Sequence, residues 1–285
     1  MMSDSIKHKP VVRETPCKTI LGKSGISDYS MNCYGGCAHS CAYCYARFMQ
    51  RFHPHEEPWG EFVDVKANAV EVLERQLCRA RAQLRPGDVF VSSACDGWQP
   101  IERERKLTRE CCRLLVQHGF QVNALTKSAL ILRDFDIFSG SSAQIGVTVT
   151  TLDQGVASLW EPHASRVEDR FHVLEEARAA KLKTSIMFGP LLPFISDNDE
   201  DVYALLERAT ALHVDTIWVD AFNPRPKVWE STSALLDTQF PGLRERYRQI
   251  LFQPPFRSAY LAGLRGRITR AAGRLHITDR VSTCV

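Results

Sequence analysis

The chain has 285 residues, 44% of them hydrophobic and 24% charged, which suits one large α/β domain or two small ones with a sizeable core. No apolar run approaches the ~18 residues of a membrane span, and Met1 to Pro10 is polar and charged where a signal peptide would be apolar. The expected location is therefore the cytoplasm, away from membranes, and a net charge of +3 is too small to imply a nucleic-acid partner.

In chain order, residues 1–28 read as an N-terminal extension, and a first strand is expected around Tyr29 to Asn32. A cysteine-rich loop follows, then helical stretches at Cys44 to Arg51 and Ala67 to Ala82. A strand at Val89 to Ser92 leads to a helix at Leu107 to His118, and further strands are expected at Gln121 to Leu125 and Ile145 to Val149. Helix Arg170 to Ala180, strand Thr184 to Phe188, helix Asp199 to Leu212 and strand Thr216 to Val219 complete the series. These strands are rich in β-branched or apolar residues and end in polar or Gly/Pro punctuation. Their alternation with helices argues for a parallel sheet wrapped by helices. Six units predict an α/β fold, a partial (β/α)6 TIM-like barrel over residues 29–230, short of the eight units of a closed barrel. Residues 231–285 read as a basic C-terminal helical extension, with Pro254-Pro255 and, from Arg244 onward, nine arginines against Glu245 and Asp279. It is expected to pack on the barrel or close its open side.

Ten cysteines would suggest disulfides in a small secreted protein, but four of them, Cys33, Cys37, Cys41 and Cys44, fall within twelve residues of a long chain. Reduced thiols and a metal site fit better. Cys37, Cys41 and Cys44 give C-x3-C-x2-C, and Cys33, Cys37 and Cys41 would give C-x3-C-x3-C. The first has the shorter final reach, which places two thiolates on one turn leading into a helix. Three soft thiolates on a tight loop hold three irons of a cubane and leave the fourth open to a ligand that is not protein. The alternative is a non-enzymatic zinc module with Cys33 as fourth ligand and His39 competing, although structural zinc usually pairs two cysteine knuckles and no second knuckle follows. Cys111 and Cys112 point to different faces of their helix, which argues against a second cluster, and Cys284 is a lone thiol near the end.

With an aromatic residue before its last cysteine, the triplet resembles the radical S-adenosylmethionine superfamily. The resemblance implies a 4Fe-4S cluster on Cys37, Cys41 and Cys44, with S-adenosyl-L-methionine on the open iron. It further implies reductive cleavage of that ligand to a 5′-deoxyadenosyl radical that abstracts hydrogen from substrate, fed by an electron donor such as a flavodoxin or ferredoxin. Tyr43, in the family's aromatic slot, would lie near the adenine, and Tyr45 is read as either core or site. Further segments, in family order, resemble the spore photoproduct lyase-like branch. They are Asn32-x-Tyr34-x-Gly36-Cys37, Asp96-Gly97-Trp98-Gln99-Pro100-Ile101-Glu102 with Leu107-Thr108-Arg109, Thr126-Lys127-Ser128 with Arg133-Asp134, Glu161-Pro162, and Arg170.

Residue chemistry is consistent with roles in cofactor binding. Ser92, Ser93, Cys95 and Asp96 follow a strand and should project at the barrel mouth, where acceptors meet an ammonium group. Asp96 capping the next turn is the plainer alternative. Lys127 ends a strand and offers a point charge to a carboxylate, or is a surface lysine. Thr148, Thr150 and Thr151 are placed to bond ribose or the methionyl group, or simply make a good strand. Glu161, before proline, fits a loop over the active face. Arg170 opens a helix and either contacts the cofactor or pairs with Glu168 or Glu175 on the surface. Met187 touches adenine or is core. Where the branch's repair enzyme carries a cysteine as hydrogen donor, this chain has Ser93, which favours a small-molecule or peptide substrate over nucleic-acid repair or modification. Cys95 is a candidate catalytic hydrogen donor, with a buried structural thiol as the alternative. Transfer of a 3-amino-3-carboxypropyl group from S-adenosylmethionine is a further alternative.

Overall fold

The computed structural model describes residues 9–79, 84–223 and 225–284. Its strands are β1 (Val11–Thr15), β2 (Leu21–Lys23), β3 (Tyr29–Met31), β4 (Tyr34–Gly35), β5 (Phe62–Lys66), β6 (Asp88–Val91), β7 (Gln121–Thr126), β8 (Gln144–Val149), β9 (Lys183–Leu191), β10 (Thr216–Ala221) and β11 (Val281–Thr283). Six of these, β3, β6, β7, β8, β9 and β10, lie side by side in chain order and pair in parallel. This is the partial α/β barrel that the strand–helix alternation predicts. β2 adds an antiparallel edge to β3 and β11 a parallel edge to β10. A second sheet, β1-β5-β4, flanks the cysteine loop.

Alternation along each strand separates two faces. Val89 and Val91, Val122, Ile145 and Val147, Ile186 and Phe188, and Ile217 and Val219 are buried in one apolar core. The helices that cover that face include α1 (Ala69–Arg79), α2 (Glu102–Arg105), α3 (Leu107–Gln117), α4 (Phe135–Phe138), α5 (Gln154–Trp160), α6 (Val167–Ala179) and α7 (Asp199–Ala211). Residues of the opposite face, such as Asn123, Leu125, Met187, Trp218 and Asp220, remain partly or largely exposed along the open inside of the barrel.

Several boundaries differ from expectation. The stretch after Cys44 is a 3-10 helix, Tyr45–Arg51, rather than an α-helix. The end of the helix expected over Ala67 to Ala82 lies outside the described residues. α6 begins at Val167, three residues before Arg170, because Glu168 and Asp169 in its first turn complement the helix dipole. The N-terminal segment is not all irregular: β1 and β2 pair with β5 and β3.

The C-terminal region forms α8 (Val228–Gln239), α9 (Arg244–Phe252) and α10 (Pro254–Arg274), and it also supplies β11, which a purely helical expectation missed. α10 packs on α7 and α9, and its Leu264, Ile268, Ala271 and Ala272 enter the main core. Its arginines turn back on the fold. Arg267 pairs with Asp197 at 3.3 Å, Arg270 with Asp199 at 2.7 Å, and Arg274 lies 4.5 Å over the Tyr203 ring. Among the described residues no helix is long and apolar enough to cross a membrane.

Apolar seams outweigh exposed ion pairs, so the two kinds of contact under α10 should separate in thermal or urea unfolding. Leu264→Ala, at a fully buried site, is expected to cost about 2–5 kcal/mol. Arg270→Ala, removing a pair exposed on both sides, should stay within about 1 kcal/mol.

Candidate active site

The cysteine loop sits over the C-terminal ends of the barrel strands and is held from several directions. Gly36 takes φ +74°, and a Cβ there would meet the Phe62 carbonyl oxygen at 2.6 Å, so only glycine lets the loop lie against β5. Gln99, fully buried after β6, clamps the loop backbone: its Oε1 accepts from the Ala38 amide at 2.9 Å and its Nε2 donates to the Gly36 carbonyl at 3.3 Å. The Ala42 amide donates to the Trp160 carbonyl at 2.9 Å, and Ser231 of α8 donates to the Ala42 carbonyl at 2.5 Å. Arg47 Nη2 reaches the Cys41 carbonyl at 3.1 Å.

Below the loop lies a buried polar network. Glu102 accepts from the Tyr34 hydroxyl, from the Thr108 and Arg109 amides at 3.1 and 3.0 Å, and from Arg133 at 3.2 Å. Burial raises its pKa despite these partners. Asp134 accepts from Trp98 Nε1 at 2.9 Å, from Arg109 Nη1 at 3.1 Å and from Arg133 Nε at 2.6 Å. The Asp96 to Glu102, Thr108-Arg109 and Arg133-Asp134 segments thus meet in one frame, and the clamping and bracing duties of Gln99, Glu102 and Tyr34 were not foreseen. Polar side chains fixed to a short segment after a strand were the available signal.

Of the two roles considered for it, Asp96 performs the capping. Its carboxylate caps the turn by accepting from the Trp98 amide at 2.9 Å, and it joins β6 to β7 by accepting from Thr126 Oγ1 and the Lys127 amide, each at 2.7 Å. His39 Nδ1 stands 3.4 Å from it. Ser92, at φ +79°, accepts from the Gly97 amide at 2.8 Å. Ser93 Oγ accepts from Asn32 Nδ2 at 2.8 Å, and its carbonyl accepts from the Tyr45 hydroxyl. Cys95 is buried, donates to the Tyr34 carbonyl at 3.1 Å, and is pushed up to about 12 by burial.

Lys127 Nζ lies 5.6 Å over the Tyr43 ring. Tyr43 stacks on Trp160 at 6.4 Å and donates its hydroxyl to Glu161 Oε1. Glu161 begins the loop that follows α5, as the next-residue proline predicts, and is buried there, where Arg170 Nη1 pairs with its Oε2 at 2.6 Å. Arg170 therefore neither opens its helix nor pairs with Glu168 or Glu175; it is buried, and it also donates to the Ser165 carbonyl at 2.8 Å and the Thr148 carbonyl at 2.9 Å. Burial pushes Glu161 up, but Arg170 and Lys127 outweigh it and hold the carboxyl below its usual range. Tyr45 is 47% exposed, so it is not core, and Met187 is partly exposed on the inner face.

Cys37, Cys41 and Cys44 repel one another as thiolates. Burial pushes all three thiols up, Cys41 to about 12, and Lys127 opposes this at Cys41 and Cys44. Cys33 does not join them. It is buried beside Cys111, whose thiol, together with burial, pushes it well up. Three soft donors without the fourth fit an iron–sulfur cluster better than a closed zinc site. Thr150 Oγ1, buried just after β8 without a hydrogen-bond partner, fits a polar ligand at the strand ends.

A family model described as the Radical SAM superfamily matches residues 31–206. Uncharacterized protein MJ0683 of Methanocaldococcus jannaschii is 31% identical over 170 residues, which is 59% of this chain and 62% of that protein's length. Uncharacterized protein Rv2578c of Mycobacterium tuberculosis is 28% identical over 255 residues, covering 85% of this chain and 74% of that one. Among solved structures, a spore photoproduct lyase variant with bound AdoMet and dinucleoside spore photoproduct matches with a TM-score of 0.69 at 11% identity, over 96% of this chain and 81% of that chain. A second, complexed with dinucleoside spore photoproduct, gives 0.67, also at 11% identity, over 95% and 81%. At such identity the likeness is one of fold.

The Glu161–Arg170 pair makes a signed pH test. A carboxylate held below its unfolded value stabilises the fold above that value, about 4.5, and loses the contribution as pH falls through the folded value. Arg170→Met should destabilise at neutral pH by about 3–5 kcal/mol, because Glu161 is left buried and unpaired. It should also flatten acid unfolding, and Glu161→Gln in the same chain should recover much of the loss. Gln99→Ala should lower the melting temperature modestly, with about 1–3 kcal/mol lost from an unsatisfied amide and carbonyl.

Proposed function

The chain belongs to the radical SAM superfamily, and from that membership we propose that Cys37, Cys41 and Cys44 hold a 4Fe-4S cluster with S-adenosyl-L-methionine on its open iron, serving a radical reaction on a small molecule or peptide. The observation that carries the assignment is the division of the four loop cysteines: Cys37, Cys41 and Cys44 feel one another's charge, and Cys33 is tied off against Cys111. When bound, the cluster supplies the electron that breaks a C–S bond of S-adenosylmethionine.

The chain's own residues do the rest. Lys127, fixed through its amide by Asp96, presents a cation to the ligand's carboxylate and offsets the charge of the thiolates. Thr148 and Thr150 stand at the end of β8, where the Thr150 hydroxyl has a bond to give. Tyr43 is oriented by Glu161, which Arg170 holds in turn, so Arg170 acts by positioning. Trp160, Phe222, Tyr247, Leu236 and Ile250 pack beside Cys41 and Tyr43 and keep water from that side of the loop. Ser92 and Ser93 shape the β6 turn through Gly97 and Asn32. Burial keeps Cys95 protonated, the form that has a hydrogen atom to give.

Two observations support a small-molecule or peptide substrate. Ser93 occupies the position at which the related repair enzyme's pattern has cysteine. The arginines of the C-terminal region are turned to carboxylates, carbonyls and rings of this same chain.

Anaerobic reconstitution with iron and sulfide tests the assignment. Wild type and Cys33→Ser should turn brown and retain both elements, and single alanine variants of Cys37, Cys41 and Cys44 should not. With reductant, S-adenosylmethionine should yield 5′-deoxyadenosine; methylthioadenosine would instead indicate aminocarboxypropyl transfer. A colourless protein that takes up zinc would overturn the reading. Tight DNA binding that weakens steeply with salt would move the substrate to nucleic acid.

A further inference from the structure

The mouth of the barrel has a second side, formed by the last strand. Along β10, Ile217, Val219 and Ala221 are buried toward the helices, and Thr216, Trp218 and Asp220 fall on the inner face. Trp218 is 39% exposed, an open position for so large a ring.

The neighbouring strand is shaped around Asp220. β9 and β10 stay in register from Ser185↔Thr216 to Phe188↔Val219, and then Leu191 pairs with Ala221. Three residues of β9 thus span two of β10, a bulge at Gly189-Pro190 opposite Asp220. Such bulges re-aim side chains beside active sites. A Cβ at Gly189 would meet the Asp220 Cβ at 3.0 Å and the Met187 Sδ at 3.3 Å, so a side chain there would crowd the carboxylate.

Asp220 carries a charge that the fold does not fully compensate. Burial pushes its carboxyl up to about 6; the Ala221 amide and Arg257 offset only part of this. Arg257 itself donates to the Phe222 carbonyl at 2.8 Å. Cys284 also feels the charge of Asp220.

A half-buried carboxylate two residues from an exposed indole on the same strand face is an arrangement that recognises an organic cation, through a charge-assisted hydrogen bond and the ring face. We propose that Asp220, with Trp218, is the substrate-recognition point of the barrel mouth and takes a primary ammonium or guanidinium group. The proposal rests on the radical-enzyme reading of the cysteine loop, and it narrows the substrate to one that carries such a group. It also gives Gly189 a reason to be glycine.

Calorimetry on the full-length reconstituted protein, with S-adenosylmethionine present, tests this with agmatine and butylamine as cationic probes and pentanoate and butanol as controls. Agmatine should bind, and Asp220→Asn should weaken it by about tenfold or more. Pentanoate and butanol should bind far more weakly than agmatine. Agmatine binding that is absent from wild type or unchanged in Asp220→Asn overturns the proposal, as does a preference for pentanoate. Trp218→Leu gives a second route if the Asn variant folds poorly: agmatine affinity should drop severalfold, and an unchanged affinity overturns the aromatic contribution. Cluster colour and 5′-deoxyadenosine are read separately, so failure of amine recognition and failure of the radical reading are distinguishable.

Discussion

Cys37, Cys41 and Cys44 are crowded on one loop, where each raises the cost of charge on the others, and the contacts around the loop answer to that crowding. A loop of this kind has few internal hydrogen bonds of its own, Ser40 to Cys37 and Cys44 to Cys41 among them. Its shape is therefore imposed from outside. Gln99 is the central contact, because one buried amide side chain satisfies both an amide and a carbonyl of the loop. Breaking it would leave both groups buried without partners, which costs more than the bond itself is worth. Gln99 is in turn fixed by a frame in which Trp98 binds Asp134 and Glu102 binds Tyr34, Arg109 and Arg133. The loop's geometry is thus set by carboxylates that lie outside the cysteine loop.

Charge compensation explains why the frame has two parts. Glu102 and Asp134 share Arg133, with Arg109 bridging Asp134 to the exposed Asp136. On the other side of the loop, Glu161 is held ionised by Arg170 and Lys127, and its free acceptor orients Tyr43. Lys127 serves both sides, since it also lowers the cost of charge on Cys41 and Cys44. The C-terminal helices complete the enclosure. Tyr247, Ile250 and Leu251 of α9 and Leu236 of α8 join Cys41, Tyr43 and Trp160 in one apolar cluster. An extension that resembles an appendage in sequence forms one wall of the site.

The barrel was legible because a period of two in Val122-Ala124 or Ile145-Val147 survives in any sheet whose one face is covered by helices. The cysteine register was legible from spacing, and the family from the order of short segments. Arg170 was not. Its partner Glu161 is nine residues earlier across a proline, and no helical spacing points to it. Nor was the buried frame, because Gln99 and Glu102 look like surface residues until the turn that contains them is folded under the loop. Of the two readings of Tyr45, core or site, the structure excludes core, because the 3-10 helix that starts there turns its ring outward. β11 was missed for a different reason: three residues carry too little periodicity, and only the exposed edge of β10 recruits them.

The arginine-rich tail shows how charge in sequence differs from charge in space. Nine arginines against two acids would give a strongly positive strip if the region stood alone. It does not stand alone. Arg267 and Arg270 meet Asp197 and Asp199 at the start of α7, Arg244 meets Asp237, and Arg246 and Arg274 lie over Phe194 and Tyr203. Arg257 and Arg280 donate to carbonyls of the barrel segment. A guanidinium committed to a neighbour has less to gain from a phosphate, since it must first give up the bond it has. The excess positive charge of the tail is therefore part of how the wall is fastened, and recognition is left to the groups at the mouth whose charges the fold leaves only partly answered.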